Sequence, residues 1–196
     1  MNASAALPSG CLGIGARART FAVVAVVAVA IGVATYLIDR PSAASGYTPS
    51  GFVGGAPPQV GETVPNFEAQ TPDGKLVKLA DYAGKPMWLS FGATWCPDCR
   101  AEAADVQAAY AANQAKGLVL MTVWVNDDAT NVSAFAAKNG FTFGMALDPD
   151  QRIADGYHLL GYPTHFFIGA DGVIRAERLG RLTPDDMARL IAEITG

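Results

Sequence analysis

The chain has 196 residues, of which 51% are hydrophobic and 16% charged, and its formal net charge at pH 7 is −4. This length accommodates one domain of ordinary size with additional segments, but not two large domains. Because Lys and Arg are not in excess, the composition gives no support to nucleic acid as a partner, and we exclude that class.

The first feature in chain order is an uncharged apolar run over residues 20–38. A helix needs about 20 apolar residues to cross a bilayer. Arg17 and Arg19 precede the run, so the positive-inside rule predicts a single-pass membrane anchor with a short cytoplasmic tail over 1–19. A cleaved signal peptide is the alternative, although its apolar core usually has only about 7–15 residues. Both interpretations predict that the main domain is extracytoplasmic, either periplasmic or at the cell surface.

Residues 39–60 are rich in Pro, Gly, Ser and Ala and contain few large apolar side chains. Such a composition cannot form a core and predicts a flexible linker. The domain itself is predicted over 61–196. It opens with a hairpin, in which strands over 66–71 and 76–79 flank the turn sequence Pro72-Asp73-Gly74-Lys75.

The rest of the domain alternates between strand-like and helix-like segments. We predict strands over 86–92, 118–125, 141–147, 164–168 and 173–178, and helices over 98–116, 130–139, 148–159 and 184–194. Gly117 and Gly140 are predicted to end the first two helices, and Thr183 to cap the last. This alternation predicts an α/β fold with helices on both faces of a sheet.

Two of the three cysteines, Cys96 and Cys99, stand two residues apart in the sequence WCPDC. A zinc site needs about four ligands, and neither His158 nor His165 is at ligand spacing to this pair, so no metal is expected. A structural disulfide gains its stabilisation from closing a long loop, and this loop is minimal. Metal binding and a purely structural role are therefore disfavoured against a redox-active pair.

The pair lies where a predicted strand leads into a predicted helix. A helix N-terminus carries partial positive charge and unpaired N–H groups, which stabilise a nucleophilic thiolate. We therefore predict that Cys96, at the helix end and more exposed, attacks, and that Cys99, one turn on and more covered, resolves the mixed disulfide. Pro97 suits the first helical turn. The Asp98 carboxylate opposes a second negative charge at Cys96, so it favours the disulfide and makes the reduced protein a better electron donor.

WCPDC after a short apolar strand, with Tyr162-Pro163-Thr164 before a later strand, resembles the thioredoxin fold. More narrowly, the chain resembles the membrane-anchored TlpA/ResA-like thiol-disulfide oxidoreductases, which are grouped with the AhpC/TSA redoxins. The resemblance covers roughly residues 60–196, including the opening hairpin and the helix–strand segment over 130–147. It implies a thioredoxin-like fold with a central mixed sheet and the hairpin as an N-terminal extension.

The resemblance also implies roles for individual residues. Cys96 and Cys99 correspond to the family's redox-active disulfide. Pro163 corresponds to a cis-proline that faces the disulfide and lets the backbone of Tyr162 pair with a substrate chain. Together with Trp95, which precedes the first cysteine, these two residues are the predicted substrate-binding group.

Glu102 corresponds to a carboxylate that ResA-like proteins place near the pair and use in proton handling. It stands three residues after Cys99 and so lies on the same helical face, although an acid that merely complements the helix dipole is the alternative. Ser90 occupies the position of a buried aspartate in thioredoxin and cannot be a comparable base, which favours Glu102 or water for proton transfer. His165 stands where such chains often have a small polar residue, and we interpret it as a strand residue rather than a catalyst.

These observations predict an extracytoplasmic protein-disulfide reductase, and the resemblance names apocytochrome c with an oxidised CxxCH as a typical client. The domain has no second cysteine pair, dinucleotide fingerprint or flavin signature, so we expect no cofactor. Electrons must then come from another protein, by resemblance a membrane thiol transporter of the CcdA/DsbD type.

Two alternative functions remain. One is a thiol peroxidase of the AhpC/TSA type, whose chemistry uses a threonine or serine three residues before the attacking cysteine. Ala93 occupies that position here, and Thr94 is one residue too late. The other is a non-catalytic binding module that keeps the thioredoxin fold.

Overall fold

A computed structural model describes residues 56–196 of the chain, together with residue 29. The predicted tail over 1–19 lies outside the described residues, as do the predicted anchor over 20–38, apart from that one residue, and most of the predicted linker over 39–60. Within the part of the chain that the structure describes, no helix is long and apolar enough to cross a membrane. The anchor, the signal peptide and the domain boundaries therefore stay predictions.

Seven strands form a single mixed sheet. They are β1 (Glu68–Gln70), β2 (Leu76–Lys78), β3 (Met87–Gly92), β4 (Val119–Val125), β5 (Gly144–Asp148), β6 (Thr164–Ile168) and β7 (Ile174–Leu179). Their order across the sheet is β2-β1-β5-β4-β3-β6-β7. β3, β4 and β5 are mutually parallel, whereas β1, β2, β6 and β7 pair antiparallel to their neighbours. The predicted N-terminal hairpin is therefore present at one edge of the sheet.

The helices are α1 (Pro97–Asn113), α2 (Ala129–Asn139), α3 (Arg152–Gly156) and α4 (Pro184–Thr195), with 3₁₀ turns over Leu79–Tyr82 and Gln114–Lys116. The predicted helix ends are confirmed. Gly117 and Gly140 adopt the left-handed conformation, with φ of 86° and 65°, which costs a glycine little. The Thr183 hydroxyl accepts the N–H of Asp186 at 3.2 Å and so caps α4.

The helix predicted over 148–159 is wrong at both ends, because the observed helix spans only Arg152–Gly156. Asp148 ends β5 instead, and α3 is a single short turn that begins at Arg152. The Asp148 carboxylate accepts the N–H groups of Ile153 at 3.1 Å and Ala154 at 2.9 Å. The Asp-Pro signal thus reflects an acid that caps the helix from the end of a strand.

The strand predicted over 141–147 is shifted, because β5 spans Gly144–Asp148. Phe141 donates its N–H to the carbonyl of Ala136 at 3.0 Å, at the end of α2. Its ring packs on that of Phe143, with centroids 4.5 Å apart. Residues 141–143 therefore pack at the end of α2 instead of pairing in the sheet, and β5 begins only at Gly144.

Alternation along the strands sends side chains to two apolar layers. Trp88 and Phe167 face the layer formed by α1 and α4, whereas Leu89 and Phe166 face the layer that includes Ile153 of α3. The predicted helices on both faces are confirmed. Ser90 pairs with His165 in the register of β3 and β6. Both therefore alternate onto the same face as Trp88 and Phe167, beneath α1.

The chain enters the domain at one end of the sheet. Gly61 donates its N–H to Ile174 at 2.8 Å, Ile174 donates to Glu62 at 2.9 Å, and Val64 donates to Gly172 at 2.9 Å. These bonds attach the segment to the beginning of β7, which lies beside the end of β6. The end of β3, where the cysteines follow, is at the opposite end of the sheet.

Candidate active site

The two cysteines follow the buried strand β3 and lie at the N-terminus of α1. Cys96 is the N-cap residue: its extended backbone begins the helix, and its sulfur accepts the N–H of Cys99 at 3.2 Å. Pro97 occupies the first turn, as expected. A Cβ on Gly92, the last residue of β3, would lie 3.2 Å from the Cys99 sulfur. The helix end thus presents donor groups to Cys96, while the glycine allows Cys99 to approach the strand.

Cys96 and Cys99 form a disulfide, with their Cα atoms 5.3 Å apart. The expectation that Cys96 is the more exposed is wrong for this oxidised state, since Cys96 is 4% exposed and Cys99 7%. Ala93 and Tyr162 pack against the pair and cover it. An N-terminal position on a helix does not by itself expose a sulfur, because a neighbouring loop can close over it.

The covering loop contains Tyr162 and Pro163, which are joined by a cis peptide bond. The Tyr162 carbonyl oxygen lies 3.6 Å from the Cys96 sulfur. Burial raises the pKa of the Tyr162 phenol, and the charges of Asp148 and Asp155 raise it further. The phenol is therefore neutral at physiological pH and can serve as a hydrogen-bonding group, but not as a base.

Trp95 stands on the outward side of the pair and is 52% exposed. Its indole N–H donates to the carbonyl of Asn126 at 3.2 Å, and its ring meets that of Tyr162 edge-on at 6.1 Å between centroids. Pro97 and Asp98 are also exposed. The structure therefore brings Trp95, Pro97 and Asp98 together on one open surface beside the disulfide, with Tyr162 half-buried at its edge. Pro163 is buried and lines the cavity on the inner side of the pair.

Asp127 supports this surface from below, and it was not among the predicted site residues. It is buried, and its two carboxylate oxygens accept the N–H of Thr94 at 2.7 Å and that of Asp128 at 3.2 Å. The first bond ties the loop before Cys96 to the loop after β4. An acid directly after a buried parallel strand, at the edge where β3 also ends, was the signal available in the sequence.

Glu102 lies on the inward side of the pair and is only 3% exposed. Its Oε2 accepts the N–H of Leu182 at 3.1 Å. Its Oε1 lies 3.4 Å from Nε2 of His165. A glutamate that only complements the helix dipole is expected at the surface. Because Glu102 is buried, its position favours the proton-handling hypothesis.

His165 lies in β6, as predicted, and is completely buried. Its Nδ1 accepts the indole N–H of Trp88 at 3.2 Å. Its Nε2 lies 3.4 Å from Oε1 of Glu102 but makes no hydrogen bond of good geometry with the described residues. Sequence reasoning missed that this histidine contacts Glu102, since nothing local relates two residues so far apart in the chain.

A small cavity of about 20 Å³ separates the disulfide from this polar group. Cys99, Glu102, Ser90, Thr122 and Trp124 are among the residues that line it. Its volume suffices for one water molecule. Trp124 also has a buried indole N–H without a hydrogen-bond partner among the described residues. Cys99 and Glu102 thus border the same small cavity, which apolar side chains such as Val106 and Phe143 also line.

The described residues contain no group of three or more His, Cys, Asp or Glu side chains that could hold a metal ion. The site is thus a disulfide with an exposed binding surface on one side and a buried carboxylate on the other. Such an arrangement can exchange thiols and disulfides, with a nearby group that accepts or returns a proton.

Comparisons with known proteins agree with this chemistry. Residues 60–177 match the model of the AhpC/TSA family. The thiol-disulfide oxidoreductase ResA of Geobacillus thermodenitrificans is 30% identical over 135 residues, which are 69% of this chain and 78% of that protein. The ResA of Bacillus subtilis is 30% identical over 123 residues, 63% of this chain and 69% of that protein.

Solved structures give the same picture. A putative thiol:disulfide interchange protein DsbE from Chlorobium tepidum superposes with a TM-score of 0.66 at 27% identity, over 71% of this chain and 99% of that one. A secreted disulfide oxidoreductase of Mycobacterium tuberculosis, described as homologous to DsbE of E. coli, gives a TM-score of 0.60 at 27% identity, over 65% and 95% of the two chains.

Proposed function

The chain belongs to the AhpC/TSA family as a ResA/TlpA-like thiol-disulfide oxidoreductase, and we propose that it reduces disulfides of other proteins outside the cytoplasm through the pair Cys96-Pro97-Asp98-Cys99. The observation that carries this proposal is the disulfide at the N-terminus of α1, with an open surface outside it and a buried carboxylate inside it. The open surface suits a protein substrate, and the carboxylate suits the proton transfer that the exchange requires.

In the first step the reduced enzyme attacks with Cys96. The N–H of Cys99 and the partial positive charge of the helix end stabilise its thiolate. A bond forms between the Cys96 sulfur and one substrate sulfur, the substrate disulfide breaks, and the other substrate sulfur leaves as a thiolate that takes up a proton. Cys96 and the substrate are then joined as a mixed disulfide.

In the second step Cys99 resolves the mixed disulfide. Glu102 accepts the Cys99 thiol proton across the cavity that both line. The Cys99 thiolate attacks Cys96, the bond between Cys96 and the substrate breaks, and the second substrate sulfur leaves and is protonated. The enzyme dithiol has become a disulfide, and the substrate disulfide has become two thiols.

A protein substrate fits the outward surface better than a small molecule does. Trp95, Leu160 and Leu179 are exposed apolar side chains near the disulfide, and Leu160 directly precedes the Gly161–Pro163 loop. A Cβ on Gly161 would lie 3.4 Å from Leu179, so this loop is close to the end of β7. An open cleft of about 550 Å³ borders Trp95 on its other side. An extended peptide can contact both regions, and we propose apocytochrome c with an oxidised CxxCH as one client.

The electrons for the next cycle come from another thiol protein. The described residues hold a single cysteine pair and no metal cluster, so a dithiol partner must reduce Cys96–Cys99 by the reverse of the same exchange. We propose a membrane thiol transporter of the CcdA/DsbD type. The exposed carboxylate of Asp98 supports electron donation, because negative charge beside Cys96 disfavours its thiolate and so favours the disulfide form of the enzyme.

The proposed location is the outer side of the cell membrane, with the N-terminus in the cytoplasm. A membrane-impermeant maleimide applied to intact cells should label the reduced Cys96–Cys99 pair but not Cys11, the third cysteine, which lies in the predicted cytoplasmic tail. A soluble mature form that begins near Ser45 would show instead that residues 20–38 are a signal peptide.

Turnover of insulin by the full chain with dithiothreitol tests the activity. We expect insulin reduction to accelerate in proportion to enzyme, and Cys96→Ala to remove the acceleration. A protein without this activity that consumes hydrogen peroxide would be a peroxidase, and one with neither activity would be a binding module.

The client is identified by trapping. A Cys99→Ala variant keeps the attacking Cys96 but cannot resolve the mixed disulfide, so its clients should stay covalently attached in cells. A Cys96→Ala/Cys99→Ala variant is the control for proteins that bind without exchange. Release of the trapped proteins by dithiothreitol and their identification would give the client, and absence of apocytochrome c among them would remove it from the proposal.

A further inference from the structure

His165 has a fully buried, polar side chain that the proposed reaction does not yet use. It lies between the indole of Trp88 and the carboxylate of Glu102, with the ring centroids of His165 and Trp88 5.7 Å apart. Polar groups are seldom buried in a sheet without a partner that fixes them. The two contacts of this imidazole therefore determine which of its nitrogens carries a proton.

Trp88 sets the tautomer. An indole N–H can only donate, and it lies 3.2 Å from Nδ1 of His165. Nδ1 must therefore offer its lone pair, so the proton of the neutral imidazole is on Nε2. In a doubly protonated imidazolium, Nδ1 would carry a hydrogen that faces the N–H of Trp88, so two donors would repel each other and this hydrogen bond would be lost. Trp88 thus disfavours the imidazolium and keeps His165 a neutral donor through Nε2.

That donor faces the carboxylate. Nε2 of His165 lies 3.4 Å from Oε1 of Glu102, while the N–H of Leu182 donates to Oε2 at 3.1 Å. The first contact is not a hydrogen bond in this disulfide state, since Nε2 has no hydrogen-bond partner among the described residues. An unpaired, buried Nε2–H thus lies beside the one carboxylate oxygen that Leu182 leaves open.

Among the described residues, no Lys or Arg side chain forms a salt bridge with Glu102. From α1 the titratable neighbour is Cys99, and from β6 it is His165. The cavity residues of β3 and β4 are uncharged. Arg181 precedes Leu182, but it lies at the surface, 3.9 Å from Asp105 of α1. The polar groups that contact this carboxylate are therefore the N–H of Leu182 and the imidazole of His165.

We infer that His165 is a positioning residue: its Nε2–H holds Glu102 ionised and aimed at the cavity beside Cys99, and Trp88 prevents His165 from taking the proton itself. This inference rests on the proposed function, in which Glu102 accepts the Cys99 thiol proton. The proton moves from the Cys99 sulfur to Glu102, the Cys99 thiolate forms its bond to Cys96, and His165 remains neutral throughout.

A single-turnover reaction of the reduced full chain with Ellman's reagent isolates this step. Attack by Cys96 releases one thionitrobenzoate and leaves the second on Cys96 as a mixed disulfide. Attack by Cys99 then releases the second one, so the second phase reports the resolving step alone. Its rate is measured as a function of pH, and the first phase is the internal control.

The rate of the second phase should fall at low pH as Glu102 becomes protonated, and this fall is the acid limb of the profile. Substitutions of His165 and Trp88 should move its midpoint in opposite directions. His165→Leu removes a donor to the carboxylate, so the limb should move to higher pH by about one unit. His165→Gln restores a donor to Glu102 and an acceptor for Trp88, so its limb should return toward that of the native protein. Trp88→Phe allows His165 to become an imidazolium that pairs with Glu102, so the limb should move to lower pH.

Phe167→Leu is the matched control, because Phe167 stacks on Trp88 with centroids 5.2 Å apart but makes no polar contact with Glu102. It should leave the midpoint unchanged, whatever its effect on stability. Shifts of His165→Leu and Trp88→Phe in the same direction, or an unmoved midpoint in both, would overturn the inference. If His165→Leu fails to fold, Trp88→Phe decides alone, and an unmoved or raised midpoint overturns it. Loss of insulin reduction with these pH shifts intact would instead overturn only the proposed function.

Discussion

The two sides of the Cys96–Cys99 disulfide are built differently. On the outward side, Trp95 and Asp98 are exposed, and a cleft of about 550 Å³ opens beside the tryptophan. On the inward side, Glu102 is buried beside a cavity of about 20 Å³, and His165 is buried behind it, 3.4 Å from its carboxylate. Water screens and replaces contacts on the first side but not on the second. Substitutions inside should therefore change the chemistry and stability strongly, whereas those outside should mainly adjust substrate binding and redox potential.

The disulfide lies between the two sides, and substitution of either cysteine should have the largest effect on insulin turnover. Cys96→Ala should reduce insulin turnover to the uncatalysed background, because the attacking sulfur is gone. Cys99→Ala should lose turnover as well, but it should form one covalent adduct per enzyme molecule. Mass spectrometry of the two variants after exposure to a disulfide peptide would check this. An adduct that forms faster on Cys99 in the Cys96→Ala variant than on Cys96 in the Cys99→Ala variant would reverse the assigned roles.

The buried carboxylate should come next. Glu102→Gln keeps an oxygen for the N–H of Leu182 but cannot accept a proton, so the resolving step should slow about a hundredfold, the lower end of general-base effects. The second phase of the Ellman reaction measures this. Glu193→Gln is the control, since Glu193 is an exposed glutamate paired with Arg189. Equal rates in the two variants would assign proton transfer to water.

The support beneath the outward surface should affect stability. Asp127→Ala leaves the N–H groups of Thr94 and Asp128 without their buried acceptor, so the free energy of unfolding should fall by about 1–3 kcal/mol. Asp105→Ala, at an exposed acid 3.9 Å from Arg181, should change it by less than about 0.5 kcal/mol. Urea unfolding of both variants measures the difference. Similar losses in the two would mean that the loop before Cys96 is held by other contacts.

A single exposed charge beside the pair should have a smaller effect. Asp98→His removes the negative charge near Cys96, so the thiolate should be stabilised and the reduction potential should rise by tens of millivolts, where about 30 mV corresponds to about 1.4 kcal/mol. The Cys96 thiol should also titrate at lower pH. Equilibration with glutathione buffers measures the potential, and pH-dependent alkylation measures the thiol. No change in either would mean that solvent fully screens Asp98.

The smallest expected effect belongs to Asp148, a buried acid away from the cavity. Burial raises its pKa, although the N–H groups of Ala154 and Ile153 oppose this. The folded state therefore holds the proton where the unfolded chain, with a pKa of about 3.9, has released it. The contribution of Asp148 to the free energy of unfolding is therefore most favourable below about pH 4, and it is lost as the pH rises through the raised pKa.

Asp148→Asn removes this titration. The difference in unfolding free energy between native protein and variant should therefore shrink from pH 4 to pH 7, by less than about 1.4 kcal/mol for each pKa unit of the shift. Urea unfolding at both pH values checks it. A difference that grows toward pH 7 would show that the two N–H bonds outweigh burial.

Local signals predicted much of this architecture. The turn Pro72–Lys75, the left-handed Gly117 and Gly140, and the cap at Thr183 all act within a few residues, so the sequence marks them directly. The mistakes came at the two ends of β5, where a local signal fits more than one structure. Asp148 ends the strand and caps α3 across five residues, and Phe141 and Phe143 pack on each other before the strand begins.

The site divides in the same way. The helix N-terminus at Cys96 and the face shared by Cys99 and Glu102 follow from spacing in one helix. The contacts of Glu102 with His165 and Leu182 depend on how β6 and the segment before α4 pass beneath α1. The burial of Cys96 depends on the loop at Tyr162. Sequence separation hides these contacts, because the chain folds them together only through the sheet.

The place where the chain joins the sheet has a practical consequence. Residues 61–64 bind the start of β7, and the disulfide lies beyond the other end of β3, a strand of six residues that spans about 20 Å. A bead, electrode or fusion partner attached through the N-terminal segment would therefore meet the domain at the pole remote from the sulfurs. Immobilised in this way, the molecules would present their disulfides outward, so that bait capture or electrochemical titration could be performed on an oriented layer.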